Sequence, residues 1–191
     1  MNFLAHLYLS GDSPELMVGN FIGDFVRGKQ VESFDKKVKQ GILLHRAIDE
    51  FTDSHQIVSA SKSRLWGRYR HYSGVIVDIF YDHFLAKNWD QYNTLSLERY
   101  AAESYQTLQD FGDVLPQKVH YILPHMIEHN WLVSYASIEG IYQVMQGMSR
   151  RATFDSKMEH ATQDLEEHYA AFEKEFTDFF PQLIEHSKSF W

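Results

Sequence analysis

The sequence predicts an all-α protein, a single-domain helical bundle spanning residues 1–191, and three observations carry that prediction. Apolar residues recur at helical spacing along most of the chain, as with Leu44, Ile48 and Phe51. No stretch of useful length alternates apolar and polar residues in the manner of a half-buried strand. The 4 prolines and 10 glycines fall mainly at the joints between periodic segments. With 44% hydrophobic residues and no low-complexity break, a chain of 191 residues is long enough to bury one core of its own.

Taken in order, Ser13-Pro14 joins a capping residue to a proline at the first helical position. It predicts a helix running to about Arg27 and ending at Gly28. Gly19 and Gly23 sit four apart on one face of it, so another backbone can approach closely. A second helix is expected over 34–53 and a third over 57–69. Ser73 caps a fourth, which continues to about Asn88. Further helices follow near 95–110, 116–129, 138–149 and 157–180. Pro124 is expected to break or kink its helix, and Pro181 to interrupt the last one.

Composition removes several classes of function. There are no cysteines, so disulfides, thiolate ligands and thiol nucleophiles are excluded. No apolar run approaches the roughly 18 residues that would span a bilayer. The opening MNFLAHLYLS is too short and lacks the basic region of a signal peptide, so a cytoplasmic protein is expected. The net charge is −8, carried by residues 101–191, which hold 14 acidic and 6 basic side chains. So acidic a chain is not expected to bind nucleic acid. Residues 27–70 run the other way, with 10 basic and 5 acidic side chains, a local patch suited to an acidic partner.

The stretch VIVDIFYDHFL at 75–85 is apolar or aromatic except for Asp78, Asp82 and His83. A helix so hydrophobic is buried, and removing each ionised carboxylate from water costs several kcal/mol. The pattern recurs elsewhere. His45 and Asp49 lie one turn apart in GILLHRAIDEFTDSH, with Asp53 continuing the stripe. Asp24 lies in GNFIGDFVRG, and His6 is the lone polar side chain in FLAHLYL. Each has an ordinary alternative: a helix cap, an arginine pair or a satisfied core histidine. A divalent metal would offset all of them through one cause, since few Lys or Arg side chains lie near. Oxygen ligands with some imidazole suit Mn²⁺, Mg²⁺ or Fe²⁺, and also admit Zn²⁺. Helix bundles hold such sites between facing helices.

These motifs, with MNFLAHLYLS, VIVDIFYDHFLAKNW and NWLVSYASIEGIYQVMQGMSRR, resemble the acyl carrier protein phosphodiesterases over nearly the whole chain. The resemblance implies an all-helical fold in a divergent branch of the HD-type phosphohydrolases, favouring Mn²⁺. It implies hydrolysis of holo-acyl carrier protein to the apo form and 4′-phosphopantetheine. It makes His45, Asp49, Asp78, Asp82, Asp24 and His6 the expected metal ligands, with His83 or His6 delivering a proton to the departing serine oxygen. Asp24, His83 and Arg46 are then the catalytic set. Arg27 joins Arg46 in holding the phosphate, and Arg64, Arg68 and Arg70 dock the acidic carrier protein. The chain has no adjacent His-Asp pair; it has Asp82-His83 and the spaced His45–Asp49 instead, and Tyr8 stands where the family can show a second histidine. Two other readings fit the same residues, a phosphohydrolase for nucleotides or other small phosphoesters and a non-enzymatic metal-binding bundle.

Overall fold

The first strong start signal acts as read. Ser13 accepts a hydrogen bond from the Leu16 amide, Pro14 occupies the first helical position, and helix α2 follows. The computed structural model describes all 191 residues and contains helices and turns but no strand. Its α-helices are α1 (Phe3–Tyr8), α2 (Pro14–Phe21), α3 (Lys36–Ser54), α4 (Gln56–Tyr69), α5 (Ser73–Lys87) and α6 (Leu97–Asp110). They continue as α7 (Gln117–Glu128), α8 (Trp131–Ser134), α9 (Ile138–Arg151), α10 (Ala161–Glu167) and α11 (Tyr169–Ser187). No helix is long and apolar enough to cross a membrane.

Helices α2 and α3 touch backbone to backbone. A Cβ on Gly19 would stand 2.1 Å from the Val38 carbonyl oxygen, and one on Gly41 would stand 2.3 Å from that of Leu16. Neither position admits any side chain. Helix α5 forms the axis of the core and is buried nearly all round. Its Phe80 and Phe84 pack on Phe172 and Phe176 of α11 at ring distances of 5.2 and 6.0 Å. A single apolar cluster then runs through the whole molecule.

Several boundaries differ from those expected. The first long helix stops at Phe21 rather than Arg27, and the chain tightens into a 3-10 turn over Gly23–Phe25. The segment 157–180 is divided at His168 into α10 and α11. Pro124 and Pro181 both sit inside helices that continue past them. Both are exposed, so the carbonyl each leaves without a partner one turn earlier meets water. Helix α1, six residues long, is too short to show a period and has no side-chain cap from Asn2 at its start.

Asp82 explains how α1 exists. Its carboxylate, wholly buried, accepts from the amides of Asn2 (3.3 Å), Leu4 (2.8 Å) and Ala5 (3.3 Å). Those are the otherwise unpaired N–H groups that open α1, where the helix dipole also favours negative charge. Burial nevertheless pushes this carboxyl up to about 7, against the pull of the three amides. Asp82→Ala should lower the free energy of unfolding by roughly 2–4 kcal/mol, because it orphans buried donors at a helix start. Urea denaturation followed by circular dichroism measures this.

Candidate metal centre

Asn20, near the end of α2, organises the polar interior. Its side-chain Nδ2 donates to the His6 carbonyl at 2.6 Å and to Ser10 Oγ at 3.0 Å, which leaves Oδ1 as the acceptor. His6 Nδ1 lies 2.8 Å from that oxygen. His45 Nδ1 lies 2.8 Å from the Asn20 backbone carbonyl. Both partners can only accept, so each ring carries its hydrogen on Nδ1 and turns Nε2 outward. The rings stack at 4.0 Å. Gly23 makes this possible, since a Cβ there would stand 2.2 Å from His45 Cγ.

The two Nε2 atoms face one carboxylate. His6 Nε2 is 3.3 Å from Asp49 Oδ1, and His45 Nε2 is 3.1 Å from Asp49 Oδ2. Asp24 adds Oδ1 at 3.3 Å from His45 Nε2. The imidazoles are 4 and 6% exposed, Asp49 is 40% and Asp24 is 69%, so the group is closed behind and open in front. With Nδ1 protonated, a neutral ring presents only a lone pair at Nε2. A lone pair at hydrogen-bond distance from a carboxylate oxygen requires a cation between them, a proton or a metal ion. Burial opposes charge on His45, but its hydrogen bonds to Asp24 and Asp49 outweigh that and raise it to about 9. His6 is lowered by burial and by the neighbouring His45 charge. Asp49, despite burial, is held far below the carboxylate range by His45 and His6, and Asp24 is lowered chiefly by its bond to His45. One proton on His45 therefore holds the group together when no ion does.

The set also fits a metal. His6, His45 and Asp49 keep their ligand atoms within 4.8 Å of one another. Donors about 2.1 Å from a common ion stand roughly 3 Å apart, which the Nε2-to-oxygen separations match. Each Nδ1–H is held by an oxygen behind it, the arrangement that orients metal-binding histidines. A second group at the end of α7, His125, Glu128 and His129, is exposed and lacks such support.

Most of the other expected site residues are engaged by partners of their own, and Asp78 borders the centre through the Met1 amine. Asp78 Oδ1 accepts from the buried α-amino group of Met1 at 3.1 Å, and that amine also stands 3.7 Å from Asp49. Asp82 is occupied with the amides of α1. His83 turns away from Asp82, with Nδ1 bonded to the Tyr135 carbonyl at 2.7 Å and Nε2 to the Tyr169 hydroxyl at 2.8 Å. Asp82 and His83 are thus engaged by different partners on different elements. Arg46 is exposed and reaches the Val26 carbonyl beside Asp24 at 3.4 Å, and Arg27 is exposed with no ion pair. Arg64 forks onto Glu175 at 2.8 and 2.7 Å, and Arg68 meets Asp164 at 2.7 Å. Those two arginines tie α4 to α11 and α10 instead of facing outward unpaired, while Arg70 is exposed.

Asn20 and Gly23 are the site residues that sequence reasoning did not assign. A neutral amide carries no electrostatic signal, and Gly23 was read as a place for backbone rather than for an imidazole. Beside the centre runs a cleft of about 490 Å³ that shares Asp24 with it.

A helical bundle that holds two imidazoles and two carboxylates beside an open cleft is an all-α protein with a histidine–aspartate centre. The model of the family "Acyl carrier protein phosphodiesterase" matches residues 1–183, and the chain belongs to that family. A protein of that name from Photorhabdus laumondii is 34% identical over 190 residues, covering 99% of this chain and 96% of the relative. One from Escherichia coli O6:H1 is 33% identical over 187 residues, covering 97% and 96%. One from Yersinia pestis is 29% identical over 185 residues, covering 96% of each. No solved structure is significantly similar to the chain.

The His45 charge gives a pH dependence in the metal-free protein. Its pKa is raised from 6.5 to about 9 on folding, so its contribution is complete below 6.5 and lost as pH climbs through about 9. Urea denaturation on either side of that window should show the decline, and His45→Ala should not.

Proposed function

We propose that this protein hydrolyses the phosphodiester of holo-acyl carrier protein, releasing 4′-phosphopantetheine and leaving a free serine on the carrier. Family membership supports the reaction, and one observation carries its placement: two Nε2 lone pairs and the Asp49 carboxylate converge beside exposed Asp24.

His6, His45 and Asp49 would hold a divalent ion, with Asp24 as a further oxygen on the open side. Mn²⁺ is the preferred ion, given mixed imidazole and carboxylate donors and no thiolate. Such an ion supplies Lewis acidity toward a phosphoryl oxygen and an activated water. Asn20 keeps both rings in the tautomer that leaves Nε2 free. Asp24 orients the attacking water and takes its proton. The water oxygen bonds to phosphorus, the bond from phosphorus to the serine oxygen breaks, and that oxygen collects a proton from solvent at the open face. Arg46 and Arg27, flanking Asp24, steady the phosphate and meet the acidic carrier protein. His83 is not assigned the proton transfer, because its ring is engaged by Tyr135 and Tyr169. Arg64 and Arg68 are not assigned to docking, because Glu175 and Asp164 already pair with them. The reaction is placed in the cytoplasm.

Purified protein with Mn²⁺ should convert holo-carrier protein to the apo form, and a chelator should stop it; intact-mass spectrometry reads both. His45→Ala and Asp49→Ala should each lower turnover at least about 100-fold and weaken Mn²⁺ binding in calorimetry. His83→Ala should stay within about ten-fold of the parent, since it removes no group from the centre. Full activity in Asp49→Ala would overturn the assignment.

A further inference from the structure

The cleft beside the centre is walled on one side by a stripe of α9: Gln143, Val144, Gly147, Met148 and Arg151. These positions recur at three- and four-residue spacing and so form one face, roughly 12 Å long. Val75 and Phe3 add apolar wall, and Asn2 adds an amide. The sole carboxylate lining it is Asp24, the residue it shares with the centre. Gly147 has a special place on the stripe. A Cβ there would meet only the Arg151 guanidinium, at 3.4 Å, so the missing side chain leaves room in the cleft rather than room for another backbone.

We infer that this cleft holds the pantetheine arm of the substrate, and that Gly147 provides its space. The inference rests on the function proposed above and deepens it. Beyond its phosphate, the arm is neutral, with a dimethyl-substituted carbon, a hydroxyl, two amides and a terminal thiol. A neutral, flexible chain with separated amides suits a mixed cleft with apolar walls and a few amide side chains. Asn2 and Gln143 supply those amides, and Val75, Val144 and Met148 the walls. Because Asp24 borders both spaces, an arm lying along α9 brings its phosphate end to the centre while the serine side faces solvent.

The test is Gly147→Phe, with Gly147→Ala and Gly147→Leu as a graded series. Three readouts are needed: hydrolysis of holo-carrier protein, hydrolysis of bis(p-nitrophenyl) phosphate, which has no arm, and calorimetric binding of pantetheine. With increasing side-chain size, kcat/KM for holo-carrier protein should fall, reaching about ten-fold or more for Phe. Turnover of the aryl diester should stay within about two-fold. Pantetheine should bind the parent protein and lose affinity in the same graded order. If Phe prevents folding, the Ala and Leu members decide. Pantetheine that fails to bind the parent, or binds every variant equally, overturns the inference. A parent that leaves holo-carrier protein intact while binding pantetheine in a Gly147-dependent way would instead overturn the proposed reaction and keep the cleft assignment.

Discussion

The whole arrangement depends on Asn20 fixing two imidazoles at once. One residue uses its side-chain oxygen for His6 and its backbone oxygen for His45, and anchors itself through its amide nitrogen. Two stacked rings would otherwise choose tautomers and orientations independently. Fixed in this way, they present a pair of lone pairs to Asp49, an acceptor facing acceptors. That mismatch is electrostatically unfavourable until a cation enters, so the interior is built for charge it does not itself supply.

Burial divides the labour around that point. The imidazoles are enclosed and the carboxylates are open, so the rings are oriented from behind and the group meets solvent in front. The acidic residues of α5 have partners of their own, although Asp78 shares the Met1 amine with Asp49. Asp82 meets amides at the start of α1, and Asp78 meets an ammonium group. Both carboxylates are met by donors, as the cost of desolvation requires, but one set is neutral amides and the other an ammonium group.

Much of this was legible in the sequence. Cap residues, apolar periodicity and the absence of alternation specified an all-helical chain. The spacing of His45 and Asp49 put both on one face of α3, and the structure indeed joins them with Asp24 and His6. The electrostatic argument for Asp78 and Asp82 correctly required partners, yet it could not distinguish a metal from a helix start. That choice lies in tertiary placement, which adjacency in sequence does not encode. His83 finds its partners in Tyr135 and Tyr169, 52 and 86 residues further along the chain. Arg64 and Arg68 stood out as surplus charge only because Glu175 and Asp164, more than ninety residues away, were not yet beside them. The prolines were read by their strongest local tendency, which exposure to solvent relieved.

The interlock of Gly19 with Gly41 has a mechanical consequence. With each backbone seated in a notch of the other, neither α2 nor α3 can slide along its neighbour without a collision. A slip of one residue would carry His45 roughly 1.5 Å along the helix axis, enough to part it from Asn20. The pair therefore acts as a fixed jaw. Across the cleft α9 is seated in the same manner, since a Cβ on Gly140 would stand 1.9 Å from the Ser134 carbonyl oxygen.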